Sequence, residues 1–179
     1  MREPAVGSCR AAILAGLAVL LALPQPSPAV TDKDRMGYTR LAGQLGANMP
    51  TGAGVSAGHV EAPVKNADNL TGYMPNSADA QLTQDVFVNE TGGSTVISSH
   101  ATTVGRYFYG TQSMAPAVGN ASSNSVHVYD ANDWYTRLYY YNITNIKGDV
   151  FNNSWVGSDS TANLQTFLNH VDRFVREEG

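Results

Sequence analysis

Near the C-terminal end, Leu164, Phe167, Leu168, Val171, Phe174 and Val175 recur at helical spacing, while Asn163, Gln165, Asp172, Arg173 and Glu177 take the opposite side. A helix with one long apolar stripe must bury it, so the rest of the chain has to supply a layer beneath it. Asp159 or Ser160 is placed to cap its start, and Gly179 stands where it ends.

The upstream sequence offers that layer in short pieces. Gly54–Ala62 is small and partly β-branched and reads as a buried strand. Ser125–Ala131 alternates Val126 and Val128 against His127 and Tyr129, and Asp149–Asn152 gives another short strand. Thr95–Ser99 is a short strand or turn leading to His100. From there Val104, Tyr107 and Phe108 mark one face of a helix that Gly110 ends. Residues 63–94 read mostly as loop with a short strand at Val86–Val88, and residues 30–50 as a short helix or arm. Asp133–Tyr141 suits helix or strand, and its tyrosines suit either a packed edge or a sugar-stacking platform.

Strands alternating with helices predict an α/β domain, doubly wound around a mostly parallel sheet. A helix that follows the last strand calls for a further strand beyond it, so the chain reads as a truncated domain.

At the other end, Arg2 and Arg10 precede the apolar run Ala11–Leu23 and a proline-rich stretch closing at Ala29. This is the plan of a secretory signal peptide spanning 1–29, with an apolar run too short to cross a bilayer comfortably. The expectation is a secreted or periplasmic product with no membrane association after cleavage. Cys9, the single cysteine of the 179 residues, departs with the signal, leaving about 150 residues without disulfide or thiolate chemistry. A formal net charge of −4 with no basic run argues against a nucleic-acid partner. His59 and Glu61 share a strand face, yet four histidines and no retained cysteine give a zinc site little support, and no metal ligand is assigned. Asn-x-Ser/Thr sites occur at Asn69, Asn89, Asn120, Asn142 and Asn152.

Three segments carry a family resemblance. Thr51–Ala62, "TGAGVSAGHVEA", resembles the first catalytic segment of subtilisin-like serine peptidases, Thr-Gly-x-Gly-Val-x-Val-x-Val-Ile-Asp, with Glu61 at the aspartate position and one methylene longer. Ser98–Gly105, "SSHATTVG", is similar to the family's His-Gly-Thr-x-Val-Ala, matched by His100, Thr102 and Val104. Val150–Trp155, "VFNNSW", resembles the substrate-cleft strand Val-Ile-Asn-x-Ser-Trp-Gly, with Val156 inserted before Gly157. The order of acid, histidine, cleft strand and helix follows the same plan.

The resemblance covers roughly residues 50–179, the first half of such a catalytic domain, so 51–179 is assigned as a partial subtilase-like domain behind an arm at 30–50. It implies Glu61 and His100 as acid and general base, and Ser154, Trp155 and Gly157 as substrate-binding residues. It also implies a peptide or protein substrate, with calcium allowed but not located. Ser113, in "GTQSMAPAVG", mimics a nucleophile loop; thirteen residues after His100, it falls instead where the family has an Ala-Pro turn. The nucleophilic serine and oxyanion asparagine of that family are expected outside this sequence, and this chain by itself is not expected to cleave peptides. The alternative is an exported binding or adhesion module on the same kind of scaffold.

Overall fold

A computed structural model of the protein describes residues 31–65, 68–122, 124–140, 146–155 and 161–178. Residues 1–29, read as a signal peptide, Asp159 and Ser160, read as a helix cap, and Asn142 and Gly179 lie outside the described residues. The chain divides into two compact units, Met1–Gly37 and Tyr38–Gly179. In the first, the described residues form one helical turn, α1 (Asp32–Arg35). The Thr31 side chain accepts from the Asp34 amide and the Asp34 carboxylate accepts from the Thr31 amide, a reciprocal cap for two otherwise orphaned donors.

The second unit runs α2 (Tyr38–Leu45), a 3-10 turn (Gly46–Asn48), β1 (Ala57–Glu61), β2 (Val64–Lys65), β3 (Thr71–Gly72), β4 (Phe87–Asn89), α3 (Ser99–Phe108), β5 (Asn120–Ala121), β6 (Asn124–Asp130), α4 (Ala131–Tyr139), β7 (Val150–Asn153) and α5 (Thr161–Glu178). The main sheet has the order β4-β6-β1-β7, every neighbouring pair parallel, with β5 added antiparallel to β6. The expected α/β class with a mostly parallel sheet is therefore present. Loop 63–94 is more ordered than its composition suggested: β2 and β3 form an antiparallel hairpin, and Met74 bridges Ile97.

All five residues of β1 are buried, as befits a central strand covered on both faces. Strand alternation sends Ala57, His59 and Glu61 to one face and Gly58 and Val60 to the other. Val60 and Tyr129 meet Trp134 and Leu138 of α4 and Phe174 of α5. On the opposite face Ala57, Val126 and Val128 meet Leu82 and Tyr109, the residue that ends α3. The steps from β4 through α3 to β6 and from β6 through α4 to β7 move the same way across the sheet over opposite faces. The two crossovers consequently have opposite hands, and one is the uncommon left-handed form.

Three helix faces differ in detail from the periodicity. In α3 the buried residues are Ala101, Thr102 and Gly105, and Tyr107 is 82% exposed. Small side chains, not the bulky ones, bring this helix close to the sheet. Of the ambiguous segment 133–141, residues 133–139 are helical and Tyr141 lies outside the described residues: the Asp130 side chain accepts from the Asn132 amide, and Trp134 and Leu138, one turn apart, share the buried face. In α5, Phe167, Val171 and Phe174 face the core, whereas Leu168 and Val175 are exposed, so the stripe is narrower than its apolar pattern. Among the described residues, no helix is long and apolar enough to cross a membrane.

Gly58 sets the spacing between β1 and its neighbour, because a Cβ there would overlap the Phe151 ring. Gly58→Ala is expected to destabilise the protein by about 1–3 kcal/mol through overpacking. Phe151→Leu should recover part of that loss in the double variant; a denaturant-melt cycle checks it, and strictly additive losses would contradict the contact.

Candidate active site

The C-terminal end of β1 and the N-terminal turn of α3 meet at Glu61. Ser98 starts α3 with extended backbone angles, and its hydroxyl accepts from the Ala101 amide at 3.1 Å. Such a cap is worth about 1 kcal/mol. The same turn is fixed from outside, since the Ser98 amide donates to the Met74 carbonyl and Thr102 Oγ1 accepts from the Asn76 amide. His100, the second residue of the helix, is thereby held over the strand end. Farther along, Arg106 pairs with Asp79, and this guanidinium, then the Gln81 amide, hold the Asp79 carboxyl below its ordinary value.

Glu61 is 1% exposed. Burying an ionised carboxylate is costly unless each oxygen finds a donor. Oε1 lies 2.5 Å from His100 Nδ1, and Oε2 lies 3.1 Å from His59 Nε2. His59, itself fully buried, places Nδ1 2.6 Å from Tyr109 Oη. The result is a continuous chain, Tyr109–His59–Glu61–His100, running from the protein interior to its surface.

Donor and acceptor roles follow from the groups themselves. A carboxylate only accepts, so His59 donates through Nε2–H, and in its neutral form leaves Nδ1 to accept the Tyr109 O–H. Burial, then the charges of Asp85 and Glu61, push the Tyr109 phenol well above its ordinary value and keep it a donor. On the outer side, His100 gives its Nδ1–H to Glu61 and is 53% exposed. Its Nε2 has no hydrogen-bond partner among the described residues and is the basic atom of the site. A carboxylate that fixes the tautomer of a half-exposed imidazole is the arrangement needed for general acid–base work.

The expected residues are distributed as follows. Glu61 and His100 come together. Ser154 follows the β7 residue Asn153, which pairs with Val60, so it stands at the same end of the sheet as Glu61; its hydroxyl donates to Asn152 Oδ1 at 2.6 Å. Trp155 packs on the core that includes Val60 and Phe174, and its indole N–H reaches Asn153 Oδ1. Gly157, with Val156, lies outside the described residues. Ser113 is buried in a turn, where its hydroxyl accepts from the Ala115 amide and its own amide donates to the Gly110 carbonyl. The tyrosine-rich run packs one helix on another: Tyr135 stacks on Phe167 and Tyr139 contacts His170. Among the described residues no three His, Cys, Asp or Glu side chains are arranged so that they could hold a metal ion.

Two participants escaped the sequence reading. The sequence suggests His59 only as a metal ligand, although its two-residue spacing from Glu61 places both on one strand face. Tyr109 had no local signal, being fifty residues from its partner His59. Comparison of the chain with protein-family models, curated proteins and solved structures returns no match.

Asp85 lies within electrostatic reach of Tyr109. It is buried, and neither carboxyl oxygen has a hydrogen-bond partner among the described residues. Desolvation raises it from 3.8 to about 7. A carboxyl protonated more readily in the folded than in the unfolded chain stabilises the fold fully below 3.8, and that contribution is lost as pH rises to about 7. Asp85→Asn should therefore stabilise the protein at pH 8 relative to pH 4, with a ceiling of about 4 kcal/mol set by the size of the rise. Melting temperatures of both chains at the two pH values check this; an equal effect at each would contradict it.

Proposed function

We propose that this chain carries the acid and general-base part of a secreted subtilisin-like serine endopeptidase, with Glu61 as the acid and His100 as the base. The observation that carries the reading is the 2.5 Å contact between Glu61 Oε1 and His100 Nδ1, made by a buried strand-end carboxylate and an imidazole in the first turn of a capped helix. The parallel α/β sheet and the strand β7 beside β1, which leads into Ser154 and Trp155, support it.

In this function His100 Nε2 removes the hydroxyl proton of a serine as its oxygen attacks the peptide carbonyl, and then returns that proton to the leaving amine. Glu61 holds the productive tautomer and stabilises the imidazolium without taking its proton. A glutamate serves where an aspartate is usual because its longer side chain still presents one oxygen to Nδ1. This reading assigns neither the nucleophilic serine nor the oxyanion donor to a residue named here, and Ser113 keeps its turn role. Ser154, Trp155 and Gly157 are the substrate-binding residues in this reading, and residues 1–29 direct export.

The adjoining coding sequence should supply a buried strand ending in Ala-Gly-Asn and a later Gly-Thr-Ser loop. The protein extended by that sequence should cleave a peptide substrate and take an active-site fluorophosphonate at the new serine. Glu61→Gln should lower kcat by about 10⁴-fold with little change in KM. Labelling at Ser113, or an extended protein that neither cleaves nor labels, would overturn the reading.

A further inference from the structure

We infer that His59 and Tyr109 are positioning residues which, through the second oxygen of Glu61, hold its carboxylate in the orientation that serves His100. The inference rests on the reading of Glu61 as the carboxylate partner of His100, and concerns residues to which the family resemblance gives no role.

A glutamate has one more rotatable bond than an aspartate and so more ways to turn its carboxylate away from a partner. At position 61 that freedom is removed from the inner side. His59 Nε2 meets Oε2 at 3.1 Å from the same face of the same strand. The imidazole cannot flip without loss, because Nδ1 is engaged at 2.6 Å by the Tyr109 hydroxyl. Tyr109 is itself fixed: it is fully buried, its ring meets His59 edge-on with centroids 5.8 Å apart, and its amide closes the end of α3 on the Gly105 carbonyl. Gly105 leaves the space for it, since a Cβ there would lie 2.8 Å from the Tyr109 hydroxyl.

The two ends of α3 therefore act on one carboxylate. His100, in its first turn, takes Oε1; Tyr109, just past its last, reaches Oε2 through His59. A shift of the helix along the sheet would break both contacts together, so the relay ties the position of the general base to the orientation of its acid. A simple filler of the interior would need neither the hydroxyl of Tyr109 nor a particular tautomer of His59.

Side-chain histidine NMR on the full chain tests this. In the unaltered protein His59 should be in the Nε2–H tautomer, and His100 should show a low-field Nδ1 proton. Tyr109→Phe, which removes only the hydroxyl, should mix the His59 tautomers. It should also move the His100 proton upfield and speed its exchange with water about tenfold, the effect of losing one ordinary hydrogen bond. A folded Tyr109→Phe protein with an unmoved His100 resonance would overturn the relay. If that variant fails to fold, the unaltered protein still decides, because an Nδ1–H tautomer at His59 would overturn it equally. Absence of the low-field His100 proton in the unaltered protein would instead sink the Glu61–His100 pairing, and the proposed function with it.

Discussion

The carboxylate of Glu61 sets the terms for its surroundings. An ion buried in a protein is tolerated when its oxygens are met by donors, and removing one partner of such a group typically costs several kcal/mol. Glu61 is met by imidazoles from two different elements, one on its own strand and one at the start of α3. Satisfying it therefore requires the helix to arrive at one place along the strand. The Ser98 cap, the carbonyl of Met74 and the amide of Asn76 all hold that place.

Close approach is the second requirement, and small residues meet it. Ala101, Thr102 and Gly105 form the buried side of α3, so its axis lies near enough for His100 to reach Glu61 and for Tyr109 to reach His59. Large side chains on that face would lift the helix away and open the chain of hydrogen bonds. On the opposite face of the sheet Trp134, Leu138 and Phe174 pack beneath the helices instead. Buried aromatic and aliphatic side chains of this size contribute about 1.5–3 kcal/mol each. Placement thus depends on the small residues of α3, while bulk comes from Leu82 and Tyr109 on its own face and from the aromatic core across the sheet.

This division explains what could be read from the residues. Strand β6 and the final helix are legible because apolar burial leaves a periodic trace, whereas β1 and β7 are legible as short small-residue or β-branched runs. The buried face of α3 was not, because alanine, threonine and glycine leave a weak one, and the eye is drawn to Tyr107, which points into solvent. Helix α4 was undecided since its aromatic residues suit either conformation; the Asp130 cap and the Trp134–Leu138 spacing decided it. Of the site, Glu61 and His100 were legible through a motif. The pairing of His59 with Tyr109 was not, since a contact across fifty residues has no local spacing to betray it.

The length of the acid side chain connects these points. An aspartate at position 61 would place its carboxylate roughly one carbon–carbon bond nearer the strand, about 1.5 Å, and so shift both oxygens relative to partners whose positions are fixed independently. His59 is fixed by the strand and by Tyr109; His100 is fixed by the capped helix. The extra methylene is thus matched to the gap between two imidazoles. On this argument the glutamate, the histidine two residues before it and the tyrosine at the end of the helix form one device, in which altering a single member leaves the others without a geometry to serve.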